Sequence, residues 1–427
     1  MAITPNPYKT TGFLGWIDDR FPLTKIWKDH LSDYYAPKNF NFWYFFGSLA
    51  MLVLVNQLLT GIFLTMHYDP SAENAFGSVQ YIMRDVPWGW LIRDLHAAGA
   101  SAFFIIVYLH MLRGIMYGSH RKPRELIWLF GCLIFLVLMA EAFCGYVLPW
   151  GNMSYWGAKV IISLFGAVPF VGHQLQVWIQ GDFTPSGATL NRLFAFHVIA
   201  LPLVLVMLVF LHVMALHEVG SNNPDGIEIK QHKGPDGKPL DGIPFHPYYT
   251  VHDLVGVGVF LLIFAAVIFF APTGGGLVIE PDNFLPANPL VTPAEIHPAW
   301  YFGVFYAMLR SIPAMFDTQI WGVLVMFGAV LVLFFLPWLD RSPVKSIRYK
   351  GWIFKTALAI FIVDFLVMNY LGMQAVNPLY TAITRVGTAV YFAFFLLMPW
   401  YSRWDRTKPV PDRVSFHGHG GSQRVTS

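Results

Sequence analysis

Charge is what this chain has least of. Only 12% of its 427 residues are Asp, Glu, Lys or Arg, against 56% hydrophobic and 17% aromatic. Soluble domains carry about twice that charge, so a freely soluble globule is excluded and a lipid environment is implied. The net charge of +3 is too small to argue for nucleic acid. The basic residues do not gather on one helix face either, so no nucleic-acid partner is expected. Cysteine is nearly absent. Cys132 and Cys144 share one apolar stretch and, if it is helical, lie roughly 18 Å apart. That is too far for a disulfide, and they read as small core residues. An early apolar run is missing too: residues 1–38 are polar, with Asp18, Asp19, Arg20 and Lys28 ahead of the first apolar stretch. No signal peptide is expected there.

What the chain does have is eight long apolar stretches, approximately 40–66, 89–117, 126–149, 189–217, 248–271, 318–338, 352–372 and 379–401. A hydrocarbon layer of roughly 30 Å takes about 20 helical residues to cross. The expected fold is therefore all-α, a polytopic membrane protein with eight transmembrane helices whose first four form a bundle. The division runs as a segment 1–39, the bundle over 40–217, a polar connection 218–247, a C-terminal transmembrane part 248–404 and a tail 405–427. Within the C-terminal part, connection 272–317 is rich in Pro and Gly yet also in aromatics, which argues for a packed functional loop. Most of the 28 Lys and Arg fall in the N-terminal segment, the tail, and the connections after the second, fourth and sixth stretches. Eight crossings put those five segments on one side, and the positive excess makes that side cytoplasmic. Both termini are expected there.

Polar side chains inside membrane helices are costly and need a reason. The second stretch has His96 and His110, fourteen apart, and the fourth has His197 and His212, fifteen apart. Fourteen residues is close to four turns, so both histidines of one helix face the same way, about 21 Å apart along its axis. Two such helices make two facing pairs. Paired neutral imidazoles are axial ligands that saturate a haem iron for electron transfer rather than oxygen chemistry. The interval recurs in glycine, with Gly47 and Gly61 in the first stretch and Gly131 and Gly145 in the third. Glycine lets a flat, bulky group approach a helix closely. Alternating topology then assigns His96, His197, Gly61 and Gly145 to an outer level, and His110, His212, Gly47 and Gly131 to an inner one. Arg93, Arg113 and Arg192 each stand about one turn from a histidine, where haem propionates would need cations. Gln57 joins this cofactor-facing set. Singly, each of these residues is weaker evidence: a lone buried histidine commonly serves as a core or proton-path residue, and arginines at helix ends snorkel. A proton-relaying transporter would show inverted repeats, and the two halves of this chain are unlike.

Longer motifs carry a further signal. GIFLTMHYDP at 61–70, DLHAAGAS at 94–101, GYVLPWGNMSYWGAKVI at 145–161, HEVGSNNPDG at 217–226 and PAWYFGVFYAMLRSIP at 298–313 resemble, in that order, the cytochrome b family of bacterial bc1 complexes. The resemblance implies two non-covalent b haems and a quinol–cytochrome-c reductase activity. With these come a bifurcated Q cycle coupled to proton translocation in the cell inner membrane, and a ubiquinone-like quinone as substrate. The partners implied are a Rieske iron–sulfur protein, a cytochrome c1-type subunit and a second copy of the chain in a dimeric complex. The family's outer quinol-oxidising site maps onto Tyr146, Trp156, Gly157, Pro298, Trp300, Tyr301 and Tyr306. Its inner quinone-reducing site maps onto His217, Ser221, Asn222 and Asp253. A quinol head group needs aromatic walls, a hydrogen-bond donor and a proton acceptor.

Three departures stand out. The family's Pro-Glu-Trp-Tyr motif has Ala299 in place of its glutamate, the proposed proton acceptor, with Glu295 and His297 nearby as candidate substitutes. The fifteen-residue histidine spacing, shared with chloroplast-type members, rotates the second ligand by about 100° unless the helix bends or unwinds, for which the site is expected near Pro202. His252 stands where lysine is common, leaving the inner site's cation pH-dependent. The uninterrupted chain favours the bc1 type, since chloroplast-type complexes split this protein after the fourth helix. A shorter di-haem anchor of a dehydrogenase, with one quinone site and no bifurcation, stands as the alternative.

Overall fold

The structure, a computed structural model, describes residues 10–316 and 318–415. The expectations for residues 1–9, 317 and 416–427 lie outside the described residues. Helices dominate: α1 (Phe45–Thr65), α2 (Gly89–Tyr117), α3 (Glu125–Val147), α4 (Asn152–Phe165), α5 (Gly187–Ala195), α6 (Leu201–Val219), α7 (Thr250–Phe270), α8 (Gly303–Ser311), α9 (Ile320–Phe334), α10 (Trp352–Gly372) and α11 (Pro378–Leu396). A two-stranded antiparallel pair, β1 (Tyr35–Pro37) with β2 (Gly242–Pro244), is the one sheet among the described residues.

Seven helical segments, among them the continuous run Gly187–Val219 that joins α5 to α6, are long and apolar enough to cross a membrane. The chain is a multi-pass membrane protein. Leu203, Phe210, Leu262 and Phe270 are exposed on these helices, a surface that suits hydrocarbon and not water. The sixth expected span is the exception. Its regular helix, α9, has 15 residues, too few alone for about 30 Å of hydrocarbon. The apolar run continues after a break at Phe335 into a short turn, Leu336–Leu339, with Pro337 near its start. Proline cannot donate within an α-helix ladder, and the division follows from it.

α1 packs along α2, and α3 along α6. The second half is knitted by α8, α10 and α11, with Tyr391 Oη donating to the Ala329 carbonyl at 2.8 Å. Among the bonds that join the halves are those from Trp128 Nε1 to the Leu333 carbonyl at 2.8 Å and from Tyr108 Oη to the Tyr301 carbonyl at 2.6 Å. In connection 272–317 the part that carries α8 is packed, with Tyr301 and Phe305 buried, whereas Phe284, Leu290 and Phe316 are exposed.

Connection 218–247 differs from the solvated loop its polarity suggests. Asn223, Asp225 and Asp241 in it are buried. Asp241 accepts from Arg413 at 2.7 and 2.9 Å, from the Val414 amide at 3.2 Å, and pairs with Lys38 at 2.9 Å. Burial raises its carboxyl, but these donors outweigh burial and hold it down to about 2. A depressed carboxyl stabilises the fold above its unfolded value, near 3.8, and that contribution disappears as pH falls through about 2. Cleavage of connection 218–247 by an acid-active protease is thus expected to accelerate between these limits. Asp241→Asn should make it cleavable by a neutral protease at pH 7. A variant cut no faster than wild type would sink this account.

Candidate haem and quinone sites

The helical period delivers the histidines as expected, and the odd spacing is absorbed in an unexpected way. Between α5 and α6 the chain makes a π-turn over Phe196–Ala200, which includes His197. A π-turn takes one residue more than an α-turn, which compensates for the fifteen-residue interval just before Pro202. His96 and His197 face each other with ring centres 6.1 Å apart, and His110 and His212 with ring centres 6.3 Å apart. A metal–imidazole bond of about 2.0 Å, plus about 1.1 Å from nitrogen to ring centre, puts two rings on one iron about 6.2 Å apart. Both pairs have the spacing to hold one.

Each histidine also lies on a glycine. A Cβ on Gly47 would sit 3.5 Å from His110 Cε1, on Gly61 3.3 Å from His96 Cε1, and on Gly131 3.5 Å from His212 Cε1. A Cβ on Gly145 would overlap the His197 ring. The pairing is the one expected from alternating topology.

Hydrogen bonds set the outer tautomers. Thr60 donates its hydroxyl hydrogen to the Asn56 carbonyl at 2.6 Å, so it accepts from His96 Nδ1 at 2.9 Å. His197 Nδ1 donates to Glu141, whose backbone carbonyl and carboxylate are both 3.0 Å away. Each ring therefore keeps Nε2 as its lone-pair nitrogen, the one that can bind a metal. Gln57 anchors the same turn by donating to the His96 carbonyl at 3.0 Å. At the inner level Arg113 stands 3.3 Å from His110 Nδ1 and lies over the Tyr44 ring. Arg93 is paired with Asp94. Arg192 is exposed and donates to the Trp178 carbonyl instead of joining the histidines.

The outer pair opens on a cavity of about 290 Å³ lined by Gln57, Gly61, Arg93, His96, Gly145 and His197, and continuous with Tyr146, Glu280, Asn283 and Tyr301. Tyr301 stacks on Phe104 at 4.0 Å. The other expected quinol-site residues hold the wall in place. Trp300 Nε1 donates to Ser101 at 3.1 Å, Tyr306 to the Ile296 carbonyl at 2.9 Å, and Trp156 to the Asn288 carbonyl at 3.1 Å. Gly157 lies against Tyr146, and Pro298 is buried. Glu295 is exposed.

At the opposite end, His217 stacks on Tyr34 at 4.8 Å, and Tyr34 Oη bonds Ser221 at 3.2 Å. Asn222 donates to the Tyr117 carbonyl at 2.7 Å and is buried. Asp253 lies on α7 beside His252, 3.7 Å away. Sequence reasoning missed Thr60, Glu141, Glu280, Asn283 and Tyr34. A carboxylate directly after the apolar Leu277-Val278-Ile279 run was the one available hint, at Glu280.

Comparison with known proteins agrees with this geometry. Residues 31–220 match the family Cytochrome b/b6/petB, and residues 286–392 match Cytochrome b(C-terminal)/b6/petD. The chain is 63% identical over 408 residues to a protein named cytochrome b from Allochromatium vinosum, covering 94% of this chain and 98% of that one. It is 49% identical to the cytochrome b of Rickettsia bellii, covering 96% and 99%. Among solved structures, a chain of a hyperthermophilic respiratory Complex III superposes with a TM-score of 0.83 at 37% identity, covering 91% of this chain and 98% of that one. Haem b binding and a role in electron transfer within a respiratory complex of several subunits follow from that kinship: the chain belongs to the cytochrome b family.

Proposed function

We propose that the chain is the di-haem, catalytic subunit of a quinol–cytochrome-c reductase. Quinol is oxidised in the cavity beside His96 and His197, and quinone is reduced near His217, Ser221 and Asp253. One quinol electron leaves to a Rieske iron–sulfur protein and the other crosses to the inner quinone. Protons are released on the outer side and taken up on the inner, cytoplasmic one. A cytochrome c1-type subunit and a second copy of the chain complete the complex in the cell inner membrane, with both termini cytoplasmic. The observation that carries this reading is the cavity that runs without a break from the His96/His197 pair to Tyr146 and Tyr301.

Haem b held by two histidine pairs supplies one-electron carriage at two depths of the bilayer. The chain's own residues do the rest. Thr60 and Glu141 fix the outer imidazoles with Nε2 available. Arg93 and Arg113 stand within a few ångströms of the cavity or the ring and can meet an anionic propionate. The stack of Tyr301 on Phe104 gives an aromatic wall against which a quinol ring can lie, and Tyr34 gives the inner site a hydroxyl. Purified protein is expected to hold two b haems per polypeptide, titrating as two components in its visible spectrum. One haem or none would refute the assignment of two histidine pairs to two haems.

A further inference from the structure

The outer cavity requires a proton acceptor, and position 299 does not provide one: Ala299 is buried and has no ionisable group. Glu295 is exposed. It is not part of the cavity wall. His297 is half-buried, with Nδ1 3.1 Å from the Pro298 carbonyl. Two carboxylates line the cavity, Glu141 and Glu280, and Glu141 is committed to His197. Glu280 is 3% exposed, and its Oε2 accepts from Asn283 at 3.1 Å. The same Asn283 amide reaches Tyr146 Oη at 3.4 Å, while its carbonyl accepts from the Ser154 amide at 2.8 Å. Asn283 is thereby fixed in orientation, and it fixes Glu280 and Tyr146 side by side in the wall.

We infer that Glu280 is the base that takes the quinol proton in this chain, replacing from the other end of the loop the carboxylate missing at position 299. The inference rests on the quinol-oxidase reading above. In the step, one quinol O–H bond breaks and its hydrogen passes as a proton to a Glu280 carboxylate oxygen, while the second O–H proton leaves with the electron that goes to the iron–sulfur partner. The electrons leave to the one-electron acceptors of the proposed function, the iron–sulfur partner and the outer b haem. The protonated Glu280 then gives its proton to water, regenerating the carboxylate. The titratable groups that share the cavity with it are Tyr68 just after α1, Arg93 and His96 on α2, Glu141 and Tyr146 on α3, His197, and Tyr301 on the same loop, with His297 acting on it from that loop too. Burial raises the Glu280 carboxyl, against the lowering by its own amide, by His297, and by Tyr146 and Asn283. A raised carboxyl is a stronger base near neutral pH, where general-base catalysis is most effective.

The test is quinol-driven reduction of the b haems in the intact complex, measured across pH for wild type, Glu280→Gln and Glu280→His. A general base contributes about 10²–10⁴-fold. Glu280→Gln should therefore slow the rate at least about 10-fold at pH 7, with both haems still bound and the acid limb of the pH profile gone. Glu280→His keeps a titratable acceptor and should move that limb upward, by about 2 units if the two groups keep their ordinary difference. Wild-type rates and an unmoved limb, with haem content intact, would overturn the inference and leave the quinol-oxidase reading standing. If Glu280→Gln does not assemble, the position of the limb in Glu280→His decides alone. A wild-type complex in which quinol reduces neither haem would overturn that reading, and this inference with it.

Discussion

His96→Leu is expected to remove the outer b-haem component from the redox titration and leave the inner one, and His110→Leu the reverse. Leucine fills much of the imidazole's volume with apolar atoms, so the helices keep their packing while the ligand nitrogen is lost. In His96→Leu, the Thr60 hydroxyl still donates to the Asn56 carbonyl, and no buried donor is stranded. His110→Leu releases Arg113 from the ring it now contacts, yet the guanidinium keeps Ser119 and the face of Tyr44. Quinol–cytochrome-c turnover should fall at least about 100-fold in either variant, because loss of any one-electron station interrupts the transfer. Two components surviving in both variants would dismantle the ligand assignment.

Gly145→Ala carries the second large effect, and its sign separates two explanations. On helix propensity alone, alanine should stabilise α3 by about 1 kcal/mol. In this fold the added Cβ would fall 2.9 Å from both ring nitrogens of His197 and nearer still to Cε1. The ring cannot retreat, because Nδ1 is tied to Glu141 by two 3.0 Å contacts. Overpacking of this kind costs about 1–3 kcal/mol, enough to outweigh the gain. The expected result is loss of most of the outer component, while Gly131→Ala, with 3.5 Å of room before His212, keeps much more of the inner one. Equal haem retention in the two variants would mean that the close approach at Gly145 is not what the fold requires.

The histidine and glycine pairs were legible because a regular helix turns sequence intervals into faces, and four intervals had to agree at once. The compensating π-turn was legible only as a need: spacing shows that one residue must be absorbed, not where. The sixth span was read as one helix because its hydropathy is continuous, whereas Pro337 divides its backbone. Thr60 and Glu141 escaped notice since their roles depend on which neighbouring helix they meet. Glu280 escaped for a different reason. It lies 19 positions from Ala299, and only the folding back of connection 272–317 brings both ends of the loop to one cavity. Polarity misled most at 218–247, where carboxylates that look solvated are buried against cations from distant segments.

Those carboxylates also have a consequence for biosynthesis. Asp225 accepts from Asn39 at 3.0 Å, Arg348 at 2.9 Å and the Ser415 amide at 2.9 Å, while Asp241 bridges Lys38 and Arg413. Neither can complete its set of partners until the last helix has been made, more than 170 residues later. Arrival of residues 413–415 completes both sets. A chain cut before Arg413 would lose the two guanidinium contacts and the Val414 amide that hold Asp241, and with them part of what keeps connection 218–247 closed.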